Sequence, residues 1–252
     1  ASASNNVYLG ANAGFINSGS EGNVGIGSSA LYSGTGGGNV AIGKLAMQLA
    51  TSASSNIAIG YAAAGGAQMT GSGNVIMGDA AGYTITSGSN NVLIGQNAGR
   101  SGSQTPQSMG AVITASNEIQ IGNEGHTNAM VQVVWTINSD GRDKTEIKEL
   151  DLGLEFVNKL KPITYKWDKR SKYEDLKPDG THVEDELQIG FIAQDIIQLE
   201  KEYGYNIEDK TNLATWESED KYKVGLKHSN LIPSLVKAIQ ELKAEIELLK
   251  SK

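Results

Sequence analysis

The sequence predicts a glycine-rich β-repeat solenoid followed by an α+β domain that ends in a coiled-coil helix. Three observations predict it: a sharp partition of glycine and charge, a short repeat of fixed period, and a heptad of apolar residues at the C-terminus. Residues 1–138 hold 25 of the 31 glycines but only six charged side chains, Glu21, Lys44, Asp79, Arg100, Glu118 and Glu124. Residues 139–252 hold the other 43 charges and six glycines. The domain boundary therefore falls near Trp135–Asp140.

The first half repeats itself. Asn6-Val7-Tyr8-Leu9-Gly10-Ala11-Asn12-Ala13 returns as Asn23-Val24-Gly25-Ile26-Gly27-Ser28-Ser29-Ala30. Four further copies begin at Asn39, Asn56, Asn74 and Asn91, so the asparagines are spaced by 17, 16, 17, 18 and 17 residues. A weaker copy, Asn117-Glu118-Ile119-Gln120-Ile121-Gly122, follows a longer insertion. A fixed period of this length is the signature of a solenoid.

Each copy reads as one short strand that ends in glycine, then a turn of small residues. Apolar residues alternate at Val40 and Ile42, or Ile57 and Ile59, so one strand face is expected to be buried. Small residues such as Ala11, Ala41, Ala46 and Ala58 suit a close approach of backbone. The glycine permits a positive φ at the corner. The asparagine can bond its own backbone or ladder with its equivalent in the next coil. One thin coil buries little alone, because stacked coils contribute mainly nearest-neighbour contacts. Phe15 and Trp135 are the only large non-tyrosine aromatics before residue 139. Association of several chains along one axis would supply the missing burial. The repeat begins almost at once, at Asn5-Asn6, which suggests a piece of a longer protein.

In the second half, apolar residues between Lys148 and Leu160 predict a short helix beginning near Asp151 and ended by Pro162. Ile163–Trp167 alternates as a strand. Residues 168–186 are charged and carry Pro178-Asp179-Gly180, a turn signal, so they read as a loop. Leu187–Ile192 is a second strand running into a helix over Ala193–Tyr203, and Tyr222–Leu226 a third strand. Ile232, Leu235, Ile239, Leu242, Ile246 and Leu249 are spaced 3, 4, 3, 4, 3, a coiled-coil seam with Ile at a and Leu at d. That choice by itself leans towards two strands. The plain alternative is an amphipathic helix lying on its own domain's core.

Composition excludes several functions. With 28 acidic and 21 basic side chains the net charge is −7, which leaves no basic excess for nucleic acid or an anionic membrane. There is no cysteine, hence no disulfide, thiolate metal site or cysteine nucleophile. His126, His182 and His228 lack metal spacing, and no metal or cofactor is expected. No apolar run reaches the length of a membrane span. Gly38–Lys44 satisfies G-x-x-x-x-G-K, but Leu45 stands where Ser or Thr must hold magnesium. The carboxylates of the first half are scattered over different repeats, which argues against a glycosidase there.

The pattern Asn-x-x-x-Gly-x-x-Ala resembles the head repeats of trimeric autotransporter adhesins, shared by phage fibres. That resemblance implies a trimeric, left-handed β-roll-like shaft over 1–138. Residues 139–252 resemble the S74 peptidase family, the intramolecular chaperone domain at the C-terminus of endosialidases and other phage fibres. The resemblance rests on Ser139-Asp140-Gly141-Arg142-Asp143-Lys144, matching Ser-Asp-x-Arg-x-Lys, on Ile189-Gly190-Phe191-Ile192-Ala193-Gln194-Asp195-Ile196, and on Ala238-Ile239-Gln240-Glu241-Leu242 in the terminal helix. Asp143 departs from the pattern, where an apolar residue is common, and the insertion at 168–186 is long. For oligomer state the resemblance outweighs the heptad rule and implies a homotrimer.

It further implies the C-terminal part of a phage tail fibre or tailspike in the virion, made in the host cytoplasm. Its last domain cuts the chain at Asn138–Ser139, with Ser139 as nucleophile and Lys144 as base, and is then shed. Asp140 and Arg142 are candidates for supporting the site, their plain alternative being a solvated turn. A serine hydroxyl is a poor nucleophile until a neighbour removes its proton. A free lysine is protonated at neutral pH, whereas burial favours the neutral amine, so the pair needs a dry, assembled site. The candidate receptor is a host-surface glycan or protein. The competing reading is an adhesin-like binding module with a non-cleaving trimerisation cap.

Overall fold

The computed structural model describes residues 5–17, 20–100, 112–126 and 129–252. The insertion before the last repeat falls in part on 101–111, outside the described residues. Two compact units are present. The first is 1–127 together with 169–179 and 218–223; the second is 128–168, 180–217 and 224–252.

The first unit is a parallel solenoid. Its strands are β1 (Val7–Leu9), β2 (Val24–Ile26), β3 (Val40–Ile42), β4 (Ile57–Ile59), β5 (Val75–Met77), β6 (Val92–Ile94) and β7 (Ile119–Ile121), stacked in chain order in one sheet. Each pairs in parallel with the next in a fixed register, Val24 against Val40, Val40 against Ile57 and so on to Val92 against Ile119. One strand per coil, with the same residue of every repeat stacked on its equivalent, is what a period of about 17 residues dictates.

Two columns enforce that register. The first is a buried asparagine ladder. Asn23, Asn39, Asn56, Asn74 and Asn91 are each almost wholly excluded from water. The Oδ1 of each accepts the backbone N–H of the next, at 2.8 Å for Asn39 on Asn23 and 3.0 Å for Asn91 on Asn74. The Nδ2 groups donate to turn carbonyls such as Ala53 for Asn39 and Gly71 for Asn56. Asparagine suits this position because it offers donor and acceptor together. The register puts Glu118, not Asn117, in this column, and the Glu118 N–H forms the last rung by donating to Asn91 Oδ1 at 2.8 Å. The second column is the corner glycine. A Cβ on Gly60 would lie 2.4 Å from the carbonyl oxygen of Gly78, and Gly60 holds φ +136°. Gly38–Lys44, the run that resembles a phosphate loop, is an ordinary passage through the ladder, β3 and this corner.

Which strand face is buried differs from the expectation. The middle residue of each strand points inward: Gly25, Ala41, Ala58, Ile76 and Leu93 are buried, while the flanking Val and Ile are half-buried or exposed. The flanking pair instead forms an aliphatic stripe on the outside. This residue is matched with the one four positions after the corner glycine. The pairs are Tyr8 with Gly14, Gly25 with Leu31, Ala41 with Met47, Ala58 with Ala64, Ile76 with Gly82, and Leu93 with Gly99. A Cβ on Gly99 would meet Leu93 Cδ1 at 2.7 Å, and one on Gly14 would meet the Tyr8 ring at 2.7 Å. Large opposes small in five of these six pairs, as close packing requires, while Ala58 and Ala64 are both small.

The second unit is α+β. It contains α1 (Leu154–Lys159), the antiparallel pair β8 (Ile163–Tyr165) and β9 (Gln188–Gly190), and α2 (Ala193–Glu202). A second antiparallel pair follows, β10 (Thr215–Glu217) with β11 (Val224–Leu226), and then α3 (Leu231–Lys250). Strand β10 was not expected from the sequence, because Thr-Trp-Glu is too short to show alternation. Leu152, Phe156, Ile196, Leu199, Ala214 and Leu231 form the core. Helix α3 buries Leu231, Ser234 and Ala238 and packs on α1. Its heptad residues Ile232, Leu235, Ile239, Leu242, Ile246 and Leu249 are exposed instead, Ile239 by 66%. The seam is therefore not the helix's contact with its own domain.

Candidate active site

The segment Ser139–Lys144 folds into a single tight turn. Asp140 precedes a 3-10 turn over Gly141–Asp143, and its carboxylate accepts the Arg142 N–H at 2.9 Å, an aspartate cap. The Arg142 guanidinium closes back on the same carboxylate, Nη2 donating to Oδ2 at 2.6 Å. Arg142 thereby holds the Asp140 carboxyl below its ordinary range, and Asp140 raises Arg142 in return. The Lys144 N–H donates to the Gly141 carbonyl at 3.3 Å and ends the turn.

The geometric result is that the two ends of the motif meet. Lys144 Nζ lies 2.7 Å from Ser139 Oγ. Asp140 and Arg142 touch neither reacting group; they shape the turn that joins them. Both Ser139 and Lys144 are exposed in the single chain, as is Asn138 on the other side of the expected cut. An ammonium in water is a donor, and the contact as it stands has Lys144 donating to Ser139.

The chain leading into this turn has no regular secondary structure and is apolar. Met130, Val131, Val133, Val134, Trp135 and Ile137 are all exposed, Trp135 by 80%, and Ile147 is exposed just beyond the turn. Such a concentration of uncovered large apolar side chains marks an interaction surface. Its alternation was hidden in the sequence by its position across the composition boundary.

Two further carboxylates, one capping and one buried, hold the second unit together. Glu241, inside the Ala238–Leu242 motif, accepts the Leu154 N–H at 2.6 Å and so caps α1 from α3. Gly153 leaves room for it, since a Cβ there would lie 2.2 Å from Glu241 Oε2. Glu200 is buried and accepts the N–H groups of Leu213 and Ala214, each at 2.7 Å, tying α2 to the approach of β10. Their signal, a charge at an inward helical position, appears only once the helix faces are known. His228 lines an apolar groove with Ile163, Ile189 and Phe191. Among the described residues no group of three or more His, Cys, Asp or Glu lies together to hold a metal ion, and no helix is long and apolar enough to cross a membrane.

Residues 139–205 match the family model for the chaperone of endosialidase, Peptidase S74. The match opens on Ser139 itself and takes in the turn, α1, β8, β9 and α2. No curated protein and no solved structure matches the chain.

Proposed function

We propose that the chain is the C-terminal part of a phage tail fibre or tailspike, with a shaft at 1–138 and a chaperone domain at 139–252. That domain drives homotrimer formation and folding, then cuts the chain at Asn138–Ser139. The observation that carries the reading is the 2.7 Å approach of Lys144 Nζ to Ser139 Oγ at the first residue of the family match.

In this mechanism Ser139 Oγ attacks the carbonyl carbon of Asn138 while neutral Lys144 Nζ takes the hydroxyl proton. The ammonium returns that proton to the Ser139 nitrogen as the C–N bond breaks, leaving Asn138 esterified to Ser139 Oγ. Water then hydrolyses the ester, which frees the Asn138 carboxylate and a chain beginning with Ser139. Lys144 must be a base for the first step, so it must be dry. Burial of the exposed stretch 130–137 and of Ile147 between copies would exclude water there, and would make cleavage report assembly.

Trimer formation is supported by two uncovered apolar faces: the aliphatic stripe of β1 to β7 and the α3 seam. Pairing three chains in register is slow without a nucleus, because closure entropy is lost before contacts form. A domain that associates first sets the register. Its removal afterwards leaves a shaft whose unfolding is hard to reverse.

Intact mass and a denaturing gel on freshly made wild type, Ser139→Ala and Lys144→Ala test this. Wild type is expected to split into 1–138 and 139–252, with both variants whole. Wild type that stays whole while assembled would make 139–252 a non-cleaving cap.

A further inference from the structure

Coil-to-coil hydrogen bonding at one corner of the solenoid runs forward along the chain. Thr35 N–H donates to the Thr51 carbonyl at 2.8 Å, Thr51 to Met69 at 3.0 Å, Thr70 to Thr86 at 2.8 Å and Thr86 to Ile113 at 2.8 Å. The threonine hydroxyls repeat the same contact, Thr35 Oγ1 on Thr51 at 2.7 Å and Thr86 Oγ1 on Ile113 at 3.1 Å. The last coil reaches this corner at Ile113, Thr114 and Ala115, whose forward N–H groups have no further coil to meet. Orphan backbone donors must find another acceptor or water.

They find Glu219. Its Oε2 accepts Ile113 N–H at 2.7 Å and Ala115 N–H at 3.2 Å, its Oε1 accepts Thr114 N–H at 2.9 Å, and the Thr114 hydroxyl donates to Oε1. The carboxylate stands where the carbonyls of the next coil would be. Glu219 sits at the tip of the β10–β11 hairpin, residues 218–223, which belong to the solenoid's compact unit. The tip is shaped in advance: Ser218 and Lys223 close it by backbone hydrogen bonding, and Asp220 accepts the Ser218 hydroxyl at 2.7 Å and the Tyr222 N–H at 3.1 Å.

A second anchor lies on the same coil. Glu124, one of the few charges before residue 139, pairs with Lys223 and accepts the Ser171 hydroxyl. Lys169 Nζ donates to the Glu124 carbonyl at 3.0 Å, and Arg170 donates to the Tyr222 carbonyl at 2.7 Å while lying over the Tyr222 ring.

We infer that residues 218–223, with 169–171 beside them, are the end cap of the solenoid, and that the Glu219 carboxylate completes the backbone ladder of its last coil. A stacked array needs a terminal unit that satisfies its outer face, and here that unit is supplied from beyond the chain position of the proposed cut. The assignment concerns the chain that retains 139–252 and does not depend on the cut being made; removal of that domain would take the cap from Ile113–Ala115.

Hydrogen exchange on the full chain, carrying Ser139→Ala so that it stays whole, tests the cap. Amides of Ile113–Ala115 are expected to exchange about tenfold faster or more in Glu219→Ala, as loss of charge-assisted partners requires, while β3 and β4 stay protected. Glu219→Gln, which keeps one carbonyl acceptor, is expected to fall between. Unchanged protection at 113–115, or equal loss throughout β3 and β4, overturns the assignment. A parallel gel on the unsubstituted serine reads cleavage separately.

Discussion

Replacing Asn56 by alanine removes a rung from the middle of the asparagine ladder. Asn56 is fully buried. Its Oδ1 accepts Asn74 N–H at 2.8 Å, and its Nδ2 donates to the Gly71 carbonyl at 3.0 Å. Alanine supplies neither group, so one buried donor and one buried acceptor lose their partner at about 1–3 kcal/mol each, roughly 2–6 kcal/mol together. Repeat arrays open locally, so a single unfolding free energy is the wrong readout. Native-state hydrogen exchange at β4 and β5 is the right one, and protection there should fall by about 30-fold or more, the lower end of that range. Thr70→Ala, which removes one exposed hydroxyl contact of 3.5 Å, is the reference and should cost under about 1 kcal/mol. Asn56→Asp sharpens the test. It keeps the acceptor but turns a carboxylate towards the Gly71 and Ser54 carbonyls, which raises its pKa in the fold. A carboxyl so raised costs nothing below its unfolded value and destabilises progressively as pH rises past it, so Asn56→Asp should be better protected at pH 4 than at pH 7. Equal protection of Asn56→Ala and Thr70→Ala would refute the ladder as a source of stability.

Two further outcomes follow from the packing and the cap. Ile76→Ala should cost about 2–4 kcal/mol through the cavity it leaves, and Gly82→Met, strained at φ +56° and close to Leu93, should cost at least about 1 kcal/mol less in that background than in the wild type; costs that merely add in a double-mutant cycle would end the volume-pairing argument. Burial of the Glu219 carboxyl works to raise its pKa, but the Thr114 hydroxyl and the N–H groups of 113–115 outweigh it and hold the carboxyl below its ordinary range. Its stabilisation is therefore complete above the unfolded value of about 4.3 and lost as pH falls through the lower folded one, so intrinsic-rate-corrected protection of 113–115 should be the same at pH 7 and pH 5 and fall below about pH 4. Lys223, Glu124 and Asp220 share that cap. Loss of protection already at pH 6 would point to another group.

Much of the solenoid was legible because its signals are local: an asparagine, an alternating strand and a glycine at a fixed spacing need no long-range information. The burial of the middle strand residue was not, because Val40-Ala41-Ile42 reads with either face inward and only the path of the whole coil decides. The compensation of Ile76 by Gly82 was visible in the sequence, but only to a comparison of columns across copies rather than of residues along one. In the second unit, the turn that joins Ser139 to Lys144 was legible as a motif, whereas its aspartate cap needed the backbone geometry. Glu219 was illegible, since a partner more than 100 residues away leaves no trace in spacing.

Equivalent residues stack on one another from coil to coil, and this makes solenoid length a quantity that changes in steps. Removing the stretch from Ile57 to Asn74 would join Asn56 to Val75, bring Val40 beneath Val75 and Gly43 beneath Gly78, and leave every column continuous. Each such step shortens the stack by about 4.8 Å, the spacing of adjacent strands, without touching the cap or the domain that follows. Copies of 16, 17 and 18 residues already coexist in one stack, the difference absorbed in the turns. Gene duplication or loss of a single coil can thus adjust how far the solenoid extends while its folding instructions stay the same.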